Sequence, residues 1–192
     1  MFTPETITRA RQDTPGCEHT VHFDNAGSAL PPRVVVDAVI EHLRLEERAG
    51  GYAAAARNHD RIERPYQAIA SLINAQPDEI AVIENATRAW DMAFYSIDFQ
   101  PGDRILTSRA EYASNYIAYL QIARKTGAVV EVIPCDAAGQ VDVGALRAML
   151  EDRAGRVKLI AVTHVPTNGG LVNPVAEIGA VAREFGVLYL LA

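Results

Sequence analysis

The stretch VKLIAVTHVPTNGGLVNPVAEIGAVAREFGVLYLLA (157–192) contains the pattern that decides the fold. Its beginning, 157–164, is a short apolar and β-branched run, and a polar loop follows. Asn173 and Pro174 predict the start of a helix, because asparagine caps helix N-termini and proline suits the first turn. Residues 187–191 form a second apolar run, typical of a buried strand. This strand–helix–strand order predicts two parallel strands joined by a right-handed crossover.

The same alternation of strand and helix patterns runs through the rest of the chain. Three further apolar runs resemble strands: EIAVIE (79–84), RILTS (104–108) and AVVEVIPC (128–135). Five strand candidates interleaved with helices predict an α/β fold, with a mostly parallel, doubly wound sheet and helices on both faces. Ahead of the sheet, apolar residues at helical spacing predict a helix over 33–48, and the segment 52–60 is interpreted as a connection.

Composition and charge disfavour several functional classes. The net charge of −6 argues against nucleic acid as a partner, because phosphate binding needs a basic surface. No apolar run reaches the roughly 20 residues that cross a bilayer, and the N-terminus lacks the apolar segment of a signal peptide. The two cysteines, Cys17 and Cys135, have neither metal-site nor redox-motif spacing. We expect a cytoplasmic protein that binds neither nucleic acid nor membranes.

The first of three candidate binding loops opens a helix directly after the run 79–84. Asn85, Ala86 and Thr87 stand where a helix presents unpaired N–H groups and the positive end of its dipole, which suits a phosphate. The alternative on this segment alone is an ordinary cap by Asn85 or Thr87. No glycine-rich mononucleotide motif occurs in the sequence.

The second candidate loop, SRAEYASN (108–115), follows the strand pattern at 104–108. Its tyrosine, Tyr112, offers a ring that can stack on a flat ligand. The alternative is a solvated loop whose tyrosine packs on the adjacent helix. The other polar residues of this loop are Glu111, Ser114 and Asn115.

The third candidate loop, THVPTNGG (163–170), also begins at the end of a predicted strand. Its Gly-Gly pair lets a backbone approach closely, and His164 is either a ligand contact or a structural histidine. Because the carboxyl ends of parallel strands meet at one edge, we expect all three loops to converge there. The remaining polar side chains of this loop are Thr163, Thr167 and Asn168.

Taken in order, five segments of the chain resemble the N-terminal portion of a class V aminotransferase-family enzyme. They are FDNAGSALPP (23–32), ENATRAWD (84–91), AEYASN (110–115), THVPTNGGLVNPVAEI (163–178) and GVLYLL (186–191). The family contains cysteine desulfurases, selenocysteine lyases, other C–S lyases and epimerase-like enzymes. The resemblance implies a fold-type-I enzyme that uses pyridoxal 5′-phosphate (PLP) on a small amino-acid substrate, most closely a cysteine desulfurase or C–S lyase. Transamination, epimerisation and a non-catalytic α/β binding module remain alternatives.

The resemblance also implies roles for individual positions. The implied cofactor contacts are Ala86 and Thr87 for the phosphate, Tyr112 for the pyridine ring, and Thr167 or its neighbour and rival Asn168 for the O3′ oxygen. The segment that the family places near the substrate carboxylate is matched by Asn25, Ala26 and Gly27.

Two functional positions of the family have no counterpart in the chain. Where the family has the aspartate that pairs with the pyridine nitrogen, Ala192 stands, and the Schiff-base lysine comes later still. The only lysines are Lys125 and Lys158, and neither lies at the family position. We therefore expect the chain to be part of a homodimeric enzyme and to be catalytically inert by itself. Residues 1–58 are predicted to form an N-terminal arm and first helix, and 59–192 an incomplete PLP-binding large domain.

Overall fold

The computed structural model describes residues 2–152, 156–167 and 169–192. The chain divides into two compact units, Met1–Val82 and Ile83–Ala192. The predicted domain boundary after residue 58 stays a prediction. Within the described residues, no helix is both long enough and apolar enough to cross a membrane.

The first unit is helical. The helix predicted over 33–48 is confirmed, whereas the interpretation of 52–60 as a connection is wrong because most of it forms a helix. Four consecutive alanines favour this helix, and Gly50, at φ +79°, turns the chain between it and the preceding helix. The α-helices of this unit are α1 (Pro4–Gln12), α2 (Asn25–Ser28), α3 (Arg33–Ala49), α4 (Gly51–Arg57) and α5 (His59–Ile73).

The apolar face of α3 is not covered. Its members are between 40% and 58% exposed, although their helical spacing is that of a core-facing stripe. Among the described residues of this unit, the buried apolar ones are small, namely Ala54 and Ala70. An uncovered apolar stripe of this kind fits a surface that another protein surface covers. The residues of the α3 face are Val36, Val39, Ile40 and Leu43.

The second unit has a four-stranded sheet in the order β2-β1-β3-β4, in which every neighbouring pair is parallel. The predicted α/β class with a parallel sheet is thereby confirmed. In chain order the elements are α6 (Ala86–Tyr95), β1 (Arg104–Thr107), α7 (Ala113–Thr126), β2 (Val129–Val132), α8 (Val143–Glu151), β3 (Val157–Val162), α9 (Val175–Glu184) and β4 (Leu188–Leu191).

The fifth predicted strand, at 79–84, is wrong. A short 3₁₀ turn covers Pro77–Glu79, and Ile80 has extended backbone angles but belongs to no ladder of the described residues. Val82 is 56% exposed. An extended apolar segment becomes a strand only when another strand takes up its N–H and C=O groups, and no strand of the four-stranded sheet does so.

Helices cover both faces of the sheet, as expected for a doubly wound fold. Successive side chains of a strand point to opposite faces, so Ile105 and Leu106 of β1 enter two different cores. On one face Ile105 packs among residues of α6 and α7, including Trp90, Phe94 and Tyr119. On the other face Leu106 packs among residues of α8 and α9, including Leu146, Ile178 and Val181.

Two ion pairs hold the amino ends of the strands. Arg104 of β1 is 6% exposed and donates two hydrogen bonds, of 2.9 and 2.7 Å, to the carboxylate of Glu131 on β2. Asp103, 4% exposed, accepts two bonds of 3.1 and 3.2 Å from Arg156, just before β3. These pairs fix the edge of the sheet that lies opposite the predicted binding loops.

The prediction that Asn173 caps α9 is wrong. The capping position is Pro174, and Asn173 is buried with its side chain turned to other segments. Its Oδ1 accepts the N–H of Val141 and its Nδ2 donates to the carbonyl of Thr163. Both of these backbone groups lie in the interior and need hydrogen-bond partners there. The Asn173 side chain therefore bonds to them and does not cap α9.

Candidate functional site

The strand order creates a topological switch point between β1 and β3. From β1 the chain crosses to β2 on one side, and from β3 it crosses to β4 on the other. Open α/β sheets bind ligands at such a point, outside the carboxyl ends of the strands. The segment that leaves β1 (108–112) and the start of the segment that leaves β3 (163–167) meet at this edge through bonds between Glu111 and Thr163, which confirms that the second and third predicted loops lie together.

The carboxylate of Glu111 connects these two loops. From its own side it accepts hydrogen bonds from the N–H of Tyr112 at 3.0 Å and from Nδ2 of Asn115 at 3.1 Å. From the β3 side it accepts the N–H of Thr163 at 3.2 Å and the Thr163 hydroxyl. Sequence reasoning treated Glu111 only as one polar residue of the loop, because its partner lies 52 positions away.

Two further hydroxyl groups complete the surroundings of Glu111. Thr107 and Ser108, at the end of β1, each donate a bond of 3.3 Å to it. Burial, and in second place the charge of Glu111, raise the pKa of Tyr119 well above its usual range. That phenol therefore stays protonated throughout the physiological pH range.

Tyr112 takes the capping position of α7 and is 49% exposed. The helix begins at Ala113. The backbone N–H of Tyr112 donates to Glu111, so the position of Tyr112 is fixed while about half of its surface stays exposed. This is the arrangement that a ring needs in order to stack on a ligand.

The third loop begins with buried Thr163 and exposed His164. The N–H of His164 donates to the carbonyl of Ala192 at 2.7 Å, which continues the β3–β4 pairing beyond the strands. Thr167 is partly exposed and belongs to a turn. Asn168, the rival of Thr167 for the cofactor oxygen, lies outside the described residues.

The first loop forms the N-terminus of α6, as predicted. Asn85 caps the helix, since its Oδ1 accepts the N–H of Arg88 at 2.9 Å. Ala86 and Thr87 are exposed, and within the described parts of the chain no acceptor binds their N–H groups. The first turn of α6 therefore keeps two free donors beside the Thr87 hydroxyl, at the positive end of the helix dipole.

The helix contacts place this N-terminus on the same side as Tyr112. Tyr95, at the end of α6, donates to Gln121 of α7 at 2.7 Å. Trp90, earlier in α6, packs on Tyr119, earlier in α7, with ring centroids 5.4 Å apart. Residues 96–103 lead from the C-terminus of α6 to the amino end of β1, and α7 leads from the carboxyl end of β1 to the amino end of β2, so the N-termini of both helices face the carboxyl edge of the sheet.

The segment predicted to lie near the substrate carboxylate belongs to the first unit. Asn25, Ala26 and Gly27 form most of the short helix α2. Asp24 caps this helix by accepting the N–H of Gly27 at 3.2 Å. A Cβ at Gly27 would lie 2.6 Å from Oδ1 of Asp24, so a larger residue here would displace the Asp24 carboxylate from its present position. The role of this segment in substrate binding stays a prediction.

Neither lysine lies at the carboxyl edge. Lys125 is in the last turn of α7, where a cation is favourable near the negative end of the helix dipole. Lys158 is the second residue of β3, at the amino edge, where its charge helps to lower the pKa of Asp103. The described residues contain no group of three or more histidine, cysteine, aspartate or glutamate side chains that could hold a metal ion.

The fold and this edge define an α/β domain of the kind that binds a ligand at the carboxyl ends of parallel strands. The sequence profile of the Aminotransferase class-V family matches residues 21–191. The chain belongs to this family, which confirms the resemblance found in its motifs.

Known relatives extend well beyond the length of this chain. A probable cysteine desulfurase of Pyrococcus abyssi is 29% identical over 195 residues, which cover 99% of this chain and 47% of the relative. The apo cysteine desulfurase of Thermococcus onnurineus matches with a TM-score of 0.80 at 27% identity, covering 100% of this chain and 47% of that one. A mutant of C-DES with glycine covalently linked to its PLP cofactor matches with a TM-score of 0.78 at 26% identity, covering 94% and 47%. The chain thus spans about half the length of these relatives.

Proposed function

We propose that this chain supplies part of the cofactor site of a PLP-dependent enzyme that acts on an amino acid, most closely a cysteine desulfurase. The observation that carries the proposal is that Glu111 joins the loops after β1 and β3 at the switch point of the sheet, while the N-terminus of α6 faces the same edge. PLP, when bound, withdraws electrons from the amino acid bonded to it. The residues of this chain bind and orient the cofactor.

The N-terminus of α6 fits the phosphate of PLP. Its two free N–H groups, at Ala86 and Thr87, and the Thr87 hydroxyl are all donors, and a phosphate offers only acceptor oxygens at neutral pH. The helix dipole adds a favourable interaction with negative charge. The Asn85 side chain leaves these two donors free because it accepts the N–H of Arg88 instead.

The other two loops fit the ring of the cofactor. Tyr112 is fixed through its backbone while its side chain is half exposed, which suits a platform for the flat pyridine ring. Thr167 lies in the loop after β3 and offers a hydroxyl for the O3′ oxygen. We assign that contact to Thr167, with Asn168 as the competing residue.

The substrate site and the assembly belong to the same proposal. Asn25, Ala26 and Gly27 are proposed to lie near the carboxylate of the amino-acid substrate. The exposed apolar face of α3 supports a homodimer, since an uncovered stripe of this size is costly in water. A cytoplasmic location is supported by two free cysteines, Cys17 and Cys135.

The choice of cysteine as substrate rests on the names of the relatives, which are cysteine desulfurases. The test is to purify the full-length gene product, titrate it with PLP and supply cysteine. Desulfuration predicts alanine as product together with sulfide released in the presence of a thiol reductant. Formation of a keto acid or of the mirror-image amino acid would instead identify an aminotransferase or an epimerase. Failure to bind PLP would contradict the enzyme proposal and favour a non-catalytic α/β binding module.

A further inference from the structure

Glu111 lies between the two loops that flank the switch point, and every contact that the structure gives its carboxylate comes from a neutral donor. One oxygen, Oε1, accepts from the N–H of Tyr112, the amide of Asn115 and the hydroxyl of Thr163. The other, Oε2, accepts from the N–H of Thr163 and the hydroxyls of Thr107 and Ser108. In the described parts of the chain no cation forms an ion pair with it.

Each of the two carboxylate oxygens accepts a hydrogen bond from one group that can only act as a donor. Hydroxyl groups rotate and an asparagine amide turns over, so these partners can also accept. A backbone N–H can only donate, and each oxygen holds one of them, from Tyr112 and from Thr163. A glutamine at position 111 has a single acceptor atom, so one of the two backbone N–H groups would face its NH₂ group. An aspartate is one methylene shorter.

We infer that Glu111 is a positioning residue that fixes the Tyr112 loop against the loop of Thr163 and Thr167, and thereby sets the ring platform and the O3′ contact of the cofactor site. The inference rests on the proposed function for its cofactor. Its geometric content, a carboxylate that joins two loops through two backbone N–H groups, belongs to the described chain itself. Glu111 acts through its neighbours and is given no chemical step.

The test compares the full-length gene product with its Glu111→Gln variant in two measurements. Hydrogen–deuterium exchange of the PLP-free protein is expected to speed up in peptides that cover 107–115 and 161–167, and to stay unchanged elsewhere. PLP affinity is expected to fall about tenfold, because loops that Glu111 no longer fixes must be ordered when the cofactor binds. Glu177→Gln, an exposed position on α9, is the matched control and should behave as the unmutated protein.

A milder variant separates positioning from a general loss of structure. If Glu111→Gln exchanges faster throughout the protein, the second variant to measure is Thr163→Val. This change removes one hydroxyl donor to Glu111 but keeps the backbone N–H, and valine suits a strand end. Faster exchange confined to the same two segments in Thr163→Val supports the inference. Unchanged exchange together with unchanged PLP affinity in either folded variant overturns the inference alone. Absence of PLP binding by the unmutated protein overturns both the proposed function and the cofactor role of Glu111.

Discussion

The side-chain amide of Asn173 donates to the carbonyl oxygen of Thr163 at 2.8 Å and so joins the start of α9 to the end of β3. Its oxygen accepts the N–H of Val141 at 3.1 Å, which adds the segment before α8. Asn173 is 2% exposed, so water does not replace these bonds freely. The residue therefore holds in place the loop that follows β3, which carries Thr167.

Replacing Asn173 by alanine should destabilise the protein by about 2–6 kcal/mol, because each of two buried polar groups left without a partner costs roughly 1–3 kcal/mol. The change leaves two such groups, the N–H of Val141 and the carbonyl of Thr163. Urea unfolding of the variant and the unmutated protein measures the difference. Gln67→Ala, at an exposed position of α5, is the control and should change stability by less than about 0.5 kcal/mol. An equal effect of both changes would show that these two bonds contribute little.

Much of the sheet follows from local sequence pattern, but strand pairing does not. The four runs that form β1 to β4 are apolar, short and separated by helical patterns, so their type and parallel arrangement are predictable. The run 79–84 has the same apolar character and yet forms no strand. A strand also needs a neighbouring strand to pair with, and the apolar pattern of one segment does not identify that neighbour. The helix α4 was missed for the opposite reason, since alanine favours helix without marking an apolar face.

The candidate site shows the same limit. Strand ends and a helix start can be located in the sequence, so the positions of Thr87 in the first turn of α6 and of Tyr112 just before α7 are predictable, while their roles stay predictions. The roles of Glu111 and Asn173 depend on partners 52 and 32 positions away, respectively. Long-range hydrogen bonds of this kind leave no periodic signal, and Asn173 even matched a different local rule, that of a helix cap.

The carboxyl of Asp103 should make stability depend on pH in the acidic range. Burial by itself would raise the pKa of this carboxyl, but the bonds from Arg156 and Gln100 and the charges of Arg156 and Lys158 outweigh burial and lower it. A lowered pKa in the folded state means that the stabilisation is complete above the ordinary value of 3.8 and is lost as the pH falls through the folded value.

The measurement is the free energy of unfolding of the unmutated protein and of Asp103→Asn between pH 7 and pH 2. At pH 7 the variant should be less stable by about 1.5–3 kcal/mol, the range for bonds to a charged group, and the difference in stability should narrow below pH 4. Arg156→Gln should reproduce the neutral-pH loss in part, because the arginine side chain is 63% exposed. A gap that stays constant down to pH 2 would contradict the assignment.

Thr87→Val should weaken PLP binding by the full-length gene product roughly 10- to 150-fold, since a hydrogen bond to a charged phosphate contributes about 1.5–3 kcal/mol. Valine keeps the shape of threonine and removes the hydroxyl. Thr87→Ser keeps the hydroxyl and is expected to retain most of the affinity. Spectroscopic titration with PLP measures both, and an unchanged affinity in Thr87→Val would leave Thr87 as an ordinary residue of the first helical turn.

The full-length gene product should be a homodimer at micromolar concentration, measured by light scattering. The α3 face (Val36, Val39, Ile40 and Leu43) should contribute to the contact, because burying its exposed area stabilises association by the hydrophobic effect. Val39→Glu is expected to shift the distribution toward monomer, whereas Arg44→Glu, an exposed position outside this face, is the control. A monomer for the unmutated protein would count against the proposed assembly.

The 192-residue chain by itself should show no turnover, even with PLP added in excess. A PLP enzyme holds its cofactor through a lysine amine placed at the carboxyl edge of the sheet, and an acid keeps the ring nitrogen protonated. Lys125 lies at a helix end and Lys158 at the amino edge, and the family resemblance implies that Ala192 occupies the position of the acid. The expected result is weak binding through Thr87 and its neighbouring amides without a specific covalent bond.

Borohydride reduction followed by mass spectrometry distinguishes the outcomes for this chain. Low and equal labelling of both lysines, with no product from cysteine, is the expected result. Lys125→Arg and Lys158→Arg serve as controls, since each should remove only its own share of the label. Full labelling at one lysine, accompanied by a visible absorbance band and turnover of cysteine, would show that the chain contains a complete catalytic site.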